Sequence, residues 1–244
     1  MVEISHYLIS IVAVLIILTV HEYSHALVAD RLGDPTARQM GRLTLNPLRH
    51  LDPIGALCMV FFHFGWAKPV PIDLRYFKKP RRDFALSALA GPLSNLICAF
   101  IGAFLYLGTY ALLRNVVFSS EFSYNLAYYT LYFFLVFHQI NLGIAIFNLL
   151  PVPPLDGSRL LGVLLPERAY YTVLRYERVI YYAVLAWLFL GRIVSNFILA
   201  IPGASNIALL RVLAEVLSLS GLIGHAVSFL SEAMLSFWQL ILAL

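Results

Sequence analysis

The chain has 244 residues, 61% of them hydrophobic and 12% charged, with a mean hydropathy of +0.82. Soluble domains carry about 25% charged residues, so the composition excludes an ordinary water-soluble fold and points to an integral membrane protein. The net charge of +4 comes without the aromatic and basic interleaving of a nucleic-acid surface, which excludes nucleic acid as a partner; in a membrane protein such charge reports orientation.

Crossing a hydrocarbon core as a helix takes about 20 mostly apolar residues. The first such run covers about residues 4–29. It opens Met-Val-Glu without a basic leader region and continues without a small-residue cleavage site, so it reads as a retained span and not a signal peptide. Next comes "PIGALCMVFFHFGW" (53–66), apolar but too short to span comfortably, followed by the extended-looking "AKPVPID". This predicts a short re-entrant or β-hairpin segment embedded in the membrane. Non-helical backbone at that depth must be buried in protein or line a wet cavity, so the segment is expected to border one. Further spans are predicted at about 84–113 and 126–150. Residues 177–244 are apolar but interrupted by Arg192, Pro202-Gly203, Arg211 and His225, and predict two or three more helices.

With no internal repeat or flexible linker, the chain reads as one domain, 1–244, with a catalytic core over about 4–165 and C-terminal helices over about 177–244. The fold class is an all-α polytopic transmembrane bundle carrying the short embedded hairpin. Cys58 and Cys98 both sit in apolar surroundings, which argues against a disulfide framework.

Ten of the 17 basic residues (Arg31, Arg38, Arg42, Arg49, Lys68, Arg75, Lys78, Lys79, Arg81 and Arg82) lie between the first two spans. Arg159, Arg168, Arg175 and Arg178 follow the third, whereas only Arg114 separates the second from the third. Basic loops stay inside, so the amino terminus is placed outside, with the first and third spans both running inward.

The chemistry concentrates where the first span ends, in "ILTVHEYSHALVAD". His21-Glu22-Tyr23-Ser24-His25 is an H-E-x-x-H pattern. On a helix the two histidines stand one above the other on one face and can converge on a zinc ion, with Glu22 beside it to handle a water proton. Burying a carboxylate at bilayer depth costs about 3 kcal/mol, which makes an intramembrane ionisable group a functional candidate by default. A catalytic zinc takes a third protein ligand and keeps a fourth position for water. Asp30, Asp34, Asp52, Asp73 and Asp83 belong to the basic loop region and read as solvated charges. Asp156 differs: "NLLPVPPLDGSRLL" presents it in a proline-rigid turn just past the inward end of the third span, at the depth of His21 and His25. "ALAGPLSN" (88–95) opens the second span at the same depth. There Gly91-Pro92 allows close packing or a local break, and Asn95 adds an amide to the pocket unless it caps the helix start.

These residues resemble the site-2 protease family of intramembrane zinc metalloproteases (peptidase family M50). The resemblance is carried by HEYSH at 21–25, "GRLTLNPLRHLDPIG" at 41–55, "GWAKPVP" at 65–71, AGPLSN at 90–95 and NLLPVPPLDG at 148–157, in the family's order over about two thirds of the chain. It implies one zinc ion on His21, His25 and Asp156, Glu22 as general base and acid, and Asn148 as a polar group for substrate or oxyanion. It also implies a transmembrane protein substrate, aligned as an added strand on a hairpin near residues 54–72, in a multi-pass protein of a prokaryotic plasma membrane with its site towards the cytosol. The C-terminal third carries no motif of the family and no PDZ or CBS segment is visible, so the form is a minimal one.

Other polar residues have plainer readings. His6, His63, His138 and His225 fit hydrogen-bonded packing, His50 an interfacial loop, Asn141 inter-helix hydrogen bonding, the aromatics Tyr128 to Phe134 an interfacial belt, Arg192 a snorkelling side chain, and Arg211 with Glu215 an i,i+4 pair. The competing function is a membrane metal transporter or metal sensor built on the same His/Asp cluster, which has no need of Glu22. A non-catalytic scaffold would need neither base nor complete ligand set.

Overall fold

The structure, a computed structural model, describes residues 2–55, 67–201, 203, 207, 209–210, 212, 214 and 218–243. Among these the regular elements are helices: α1 (Val2–Arg31), α2 (Thr36–Gln39), α3 (Pro80–Leu113), α4 (Glu121–Leu149), α5 (Gly157–Leu164), α6 (Glu167–Arg175), α7 (Glu177–Ala200) and α8 (Leu219–Leu242). Three of them, over Glu3–Arg31, Pro80–Leu113 and Glu121–Leu149, are long and apolar enough to cross a membrane.

Local chemistry sets where the spans begin. The second starts at Pro80, earlier than its apolar run, because a proline occupies the first turn and the Asp83 carboxylate accepts the Lys79 N–H at 2.9 Å. The third starts at Glu121, where Ser120 and Ser123 form a reciprocal capping box. Asn95 therefore lies well inside α3 and caps nothing, and the helix runs unbroken through Pro92.

α1, α3 and α4 pack against one another, and α8 lies against α3 and α4. At one end His6 Nε2 meets the Tyr128 hydroxyl at 2.9 Å; at the other, His21 and His25 meet Asp156, just beyond the end of α4. α1 and α4 are therefore parallel, with α3 antiparallel to both. Small buried residues, among them Ala88, Gly91, Ala99 and Gly102 on α3 and Ala145 on α4, let the backbones approach. His138 is fully buried and serves packing: its ring bonds the Ala99 carbonyl at 2.8 Å and the Ser231 hydroxyl at 2.9 Å, joining α3, α4 and α8.

The loop between α1 and α3 is ordered by buried polar groups. Asp34, expected to be a solvated charge, is fully buried and accepts hydrogen bonds from the Thr36 amide, the Thr36 hydroxyl and the Asp73 amide at 3.0, 2.5 and 2.8 Å. Asp83 is likewise buried. A carboxylate can sit there because its lone pairs are met by fixed donors. Residues 67–73 are extended: Leu51 and Ala67 form an isolated antiparallel bridge, the Lys68 amide donates to the His50 carbonyl at 2.8 Å, and the Arg42 guanidinium donates to the Lys68 carbonyl at 2.5 Å. From residue 56 to 66 the expected hairpin, with His63, lies outside the described residues, as do Arg211 and Glu215. The apolar stretch after residue 177 holds α7 and α8.

Candidate metal centre

His21 and His25 are one turn apart on α1 and both buried. Their Nε2 atoms are 3.0 Å apart, and the Asp156 Oδ2 stands 3.2 Å from the first and 3.3 Å from the second. Zinc bonds its nitrogen and oxygen ligands at about 2.0–2.1 Å in a tetrahedron, which places neighbouring ligand atoms about 3.3–3.4 Å apart. The observed triangle needs almost no adjustment to hold such an ion.

Proton bookkeeping points the same way. His25 Nδ1 lies 2.7 Å from the Ser87 carbonyl oxygen, which can only accept, so Nδ1 donates there and Nε2 is the ring nitrogen turned towards His21 and Asp156. It stands 3.3 Å from Asp156 Oδ2, a buried atom. Protons on these rings can link the atoms only in pairs, whereas one cation can meet all three. Burial alone would raise the Asp156 carboxyl, but the two imidazoles against it hold it below the usual carboxylate range, so it is ionised and ready to bind a cation. The His21, His25 and Asp156 side chains fit a divalent metal with one position left open.

Two glycines make the geometry possible. A Cβ on Gly91 would lie 2.4 Å from His25 Nε2 and 2.6 Å from His21 Cε1, so α3 presses bare backbone against both rings. A Cβ on Gly157 would lie 2.3 Å from the Leu149 carbonyl oxygen, so the turn carrying Asp156 tucks under the end of α4 only without a side chain there. The Pro153-Pro154 peptide in this turn is cis.

The triad opens on a cavity of about 670 Å³, walled by apolar residues including Val14, Leu18, Phe84, Ile144 and Phe147. Glu22, Asn148 and Arg159 also line it, as do Ala67, Pro69, Val70 and Ile72 of the extended segment. Glu22 Oε2 accepts the Val70 N–H at 2.9 Å, which aims the carboxylate along the cavity wall. Asn95 is fully buried and is not among the residues that line the cavity, although it shares a helix face with the lining residues Phe84 and Ala88; it lies about two turns further along α3. Asn141 is also fully buried, its amide donating to the Phe137 carbonyl at 2.8 Å. Sequence reasoning did not find Ser87, Val70 or Arg159. The first two act through backbone atoms, which no residue type advertises; Arg159 had a visible signal in its place three residues after Asp156.

Helices long and apolar enough to cross a membrane, gathered around three side-chain atoms that could hold a metal ion with a carboxylate alongside, are the features of a membrane metalloenzyme of the H-E-x-x-H type. The chain belongs to peptidase family M50, whose profile matches residues 9–191, and is a metalloprotease by class. A Bacillus subtilis (strain 168) protein named "Putative zinc metalloprotease YwhC" is 46% identical over 156 residues, covering 64% of this chain and 68% of that protein. Proteins named "Putative zinc metalloprotease Rip2" from Mycolicibacterium smegmatis and Mycobacterium tuberculosis (strain H37Rv) are 32% and 33% identical over 57% and 59% of this chain. The matched regions cover only 51% and 52% of those two proteins. No solved structure matches the chain.

Proposed function

We propose that this protein is an intramembrane zinc metalloprotease that hydrolyses peptide bonds within or near transmembrane segments of membrane-protein substrates. One zinc ion per chain would be held by His21, His25 and Asp156. The observation that carries this reading is the convergence of those three ligand atoms, 3.0 to 3.3 Å apart, on a cavity between apolar spans that also contains Glu22.

Bound there, zinc supplies Lewis acidity, which makes water acidic enough to attack at neutral pH and polarises a carbonyl. Glu22 is the general base: it takes a proton from the attacking water and returns it to the leaving nitrogen. Its carboxylate is oriented by the Val70 N–H, so the base keeps a fixed bearing before substrate arrives. Asn148 lines the cavity from α4, which supports a role as donor to the substrate carbonyl or to the oxyanion that develops from it. Asn95 is assigned to helix packing.

A helical peptide bond is shielded, so the substrate must unwind before cleavage. In the 67–72 segment the Lys68 and Val70 N–H groups are given to His50 and Glu22 and the Lys68 and Pro69 carbonyls accept from Arg42, so an unwound substrate would pair with the groups that remain, the Val70 and Pro71 carbonyls and the Ile72 peptide. Pro69 and Pro71 lack N–H groups, so the segment presents fewer donors than an ordinary strand edge. The Lys/Arg distribution supports an outside amino terminus and a site towards the cytosol, and the bacterial relatives support a prokaryotic plasma membrane.

Replacing Glu22 by Gln tests the mechanism. Cleavage of a co-expressed membrane substrate is expected to fall at least about 100-fold while zinc content stays at the wild-type level. Undiminished cleavage by this variant would remove Glu22 as the base and restore the transporter or sensor reading.

A further inference from the structure

Once the triad and Glu22 have been assigned, one charged side chain remains among the described residues lining the cavity: Arg159, in the first turn of α5. Its guanidinium carbon lies 5.3 Å from the centre of the Phe84 ring, itself a wall residue, and its side chain keeps 22% exposure. Nη2 donates to Glu177 Oε1 at 3.1 Å, at the start of α7, and Glu177 is not part of the lining. The guanidinium is thus stacked on one face and held by one nitrogen, with the rest of its donor fork uncommitted among the described residues. That is the geometry of a carboxylate receptor, since an arginine fork matches a carboxylate with two parallel donors.

The cavity's charges indicate what would use it. Glu22 and Asp156 together offset a divalent cation, which leaves Arg159 answered only by Glu177 from outside. The other walls are largely apolar, and a carboxylate entering them loses its water without compensation unless a cation meets it. The contact with Glu177 shows that a carboxylate can reach this guanidinium.

Resting on the protease reading above, we propose that Arg159 is a specificity-determining residue that receives an aspartate or glutamate side chain of the substrate close to the scissile bond. Substrates with an acidic residue at the matching position are selected over their amide counterparts.

The test uses the full-length purified protein and synthetic transmembrane peptides of one apolar sequence, each carrying Glu or Gln at one position, scanned across the cleaved bond. Wild type is expected to cleave the Glu peptide with kcat/KM about tenfold above its Gln partner at one position. R159Q levels the two, R159K keeps part of the preference, and R159E favours a Lys peptide there. E177Q, which frees Arg159 from its internal partner, keeps or enlarges the preference. A purely structural strut between α5 and α7 would instead lower Tm equally in R159Q and E177Q and slow all peptides alike, and that result overturns the assignment. A Glu preference that survives R159Q, or no Glu preference at all, overturns it too. Failure of wild type to cleave any peptide while fully loaded with zinc defeats the protease reading itself.

Discussion

Gly91→Ala is the substitution for which local and site-level physics disagree most sharply. In a helix interior alanine is favoured over glycine by about 1 kcal/mol, so α3 alone would tolerate the change or gain from it. The new methyl, however, would stand 2.4 Å from His25 Nε2, 2.5 Å from His25 Cε1 and 2.6 Å from His21 Cε1. Moving from 2.4 Å to an ordinary contact of 3.4 Å requires a ring displacement of about 1 Å. Metal–ligand distances tolerate about 0.2 Å. His25 cannot swing aside freely, because its Nδ1 is tied to the Ser87 carbonyl on the same helix, 2.7 Å away. Loss of a supporting contact around a metal ligand costs about 10- to 100-fold in affinity, so displacement of the ligands themselves should cost at least about 100-fold. The expected outcome is wild-type helicity by circular dichroism, a metal-free protein destabilised by about 1–3 kcal/mol because the overpacking at two buried rings outweighs the propensity gain, and little zinc by elemental analysis after dialysis. An alanine variant with full zinc content and unchanged affinity would refute the placement of α3 against the imidazoles.

The remaining expectations separate the centre from the scaffold. Asp156→Ala should lower zinc occupancy in elemental analysis without unfolding the bundle; unchanged occupancy would mean that another group is the third ligand. Gly157→Ala sets a methyl 2.3 Å from the Leu149 carbonyl and 2.5 Å from the Leu150 carbonyl, both backbone atoms, so it should lower Tm and zinc content together, and wild-type values for both would contradict the described turn. His138→Leu removes the links to Ala99 and Ser231 and should cost about 1–2 kcal/mol in detergent unfolding with zinc content intact; lost zinc would show that the packing cluster and the centre are coupled.

Much of this arrangement was legible in the sequence because the signals were strong for simple reasons. Long apolar runs in a chain of this composition can only be spans, and two histidines four apart on a helix must share a face. The basic loops implied that the first and third spans run the same way, and the parallel packing of α1 and α4, with Asp156 beside His21 and His25, agrees with that relative direction. The loop carboxylates misled: Asp34 and Asp83 look like surface charges in a list of residues, yet backbone donors brought from elsewhere in the loop bury them. Asn95 misled differently. It shares a face of its helix with Phe84 and Ala88, which line the cavity, but stands about two turns further along, so depth and not face separates it from the opening. The support from Ser87 and Val70 was invisible because peptide groups supply it, and their partners are known only once the fold is known.

That backbone support also explains why the antiparallel helix belongs to the centre although it contributes no ligand. The parallel spans α1 and α4 bring the imidazoles and the carboxylate to one level, but three close acceptors repel one another unless something fixes their lone pairs on a common point. α3 supplies this twice: the Ser87 carbonyl selects the tautomer of His25, and the bare backbone at Gly91 lets the rings lie close enough to Asp156. The bundle therefore holds three ligand-type atoms close together before any ion arrives, and a cation gains from that preorganisation on binding. Zinc should then stabilise the folded bundle according to its concentration relative to Kd, by about 2.7 kcal/mol at a hundredfold excess over Kd. In Gly91→Ala that stabilisation should vanish although every ligand residue is still in the chain, which places the coupling in the helix contact and not in the ligand list.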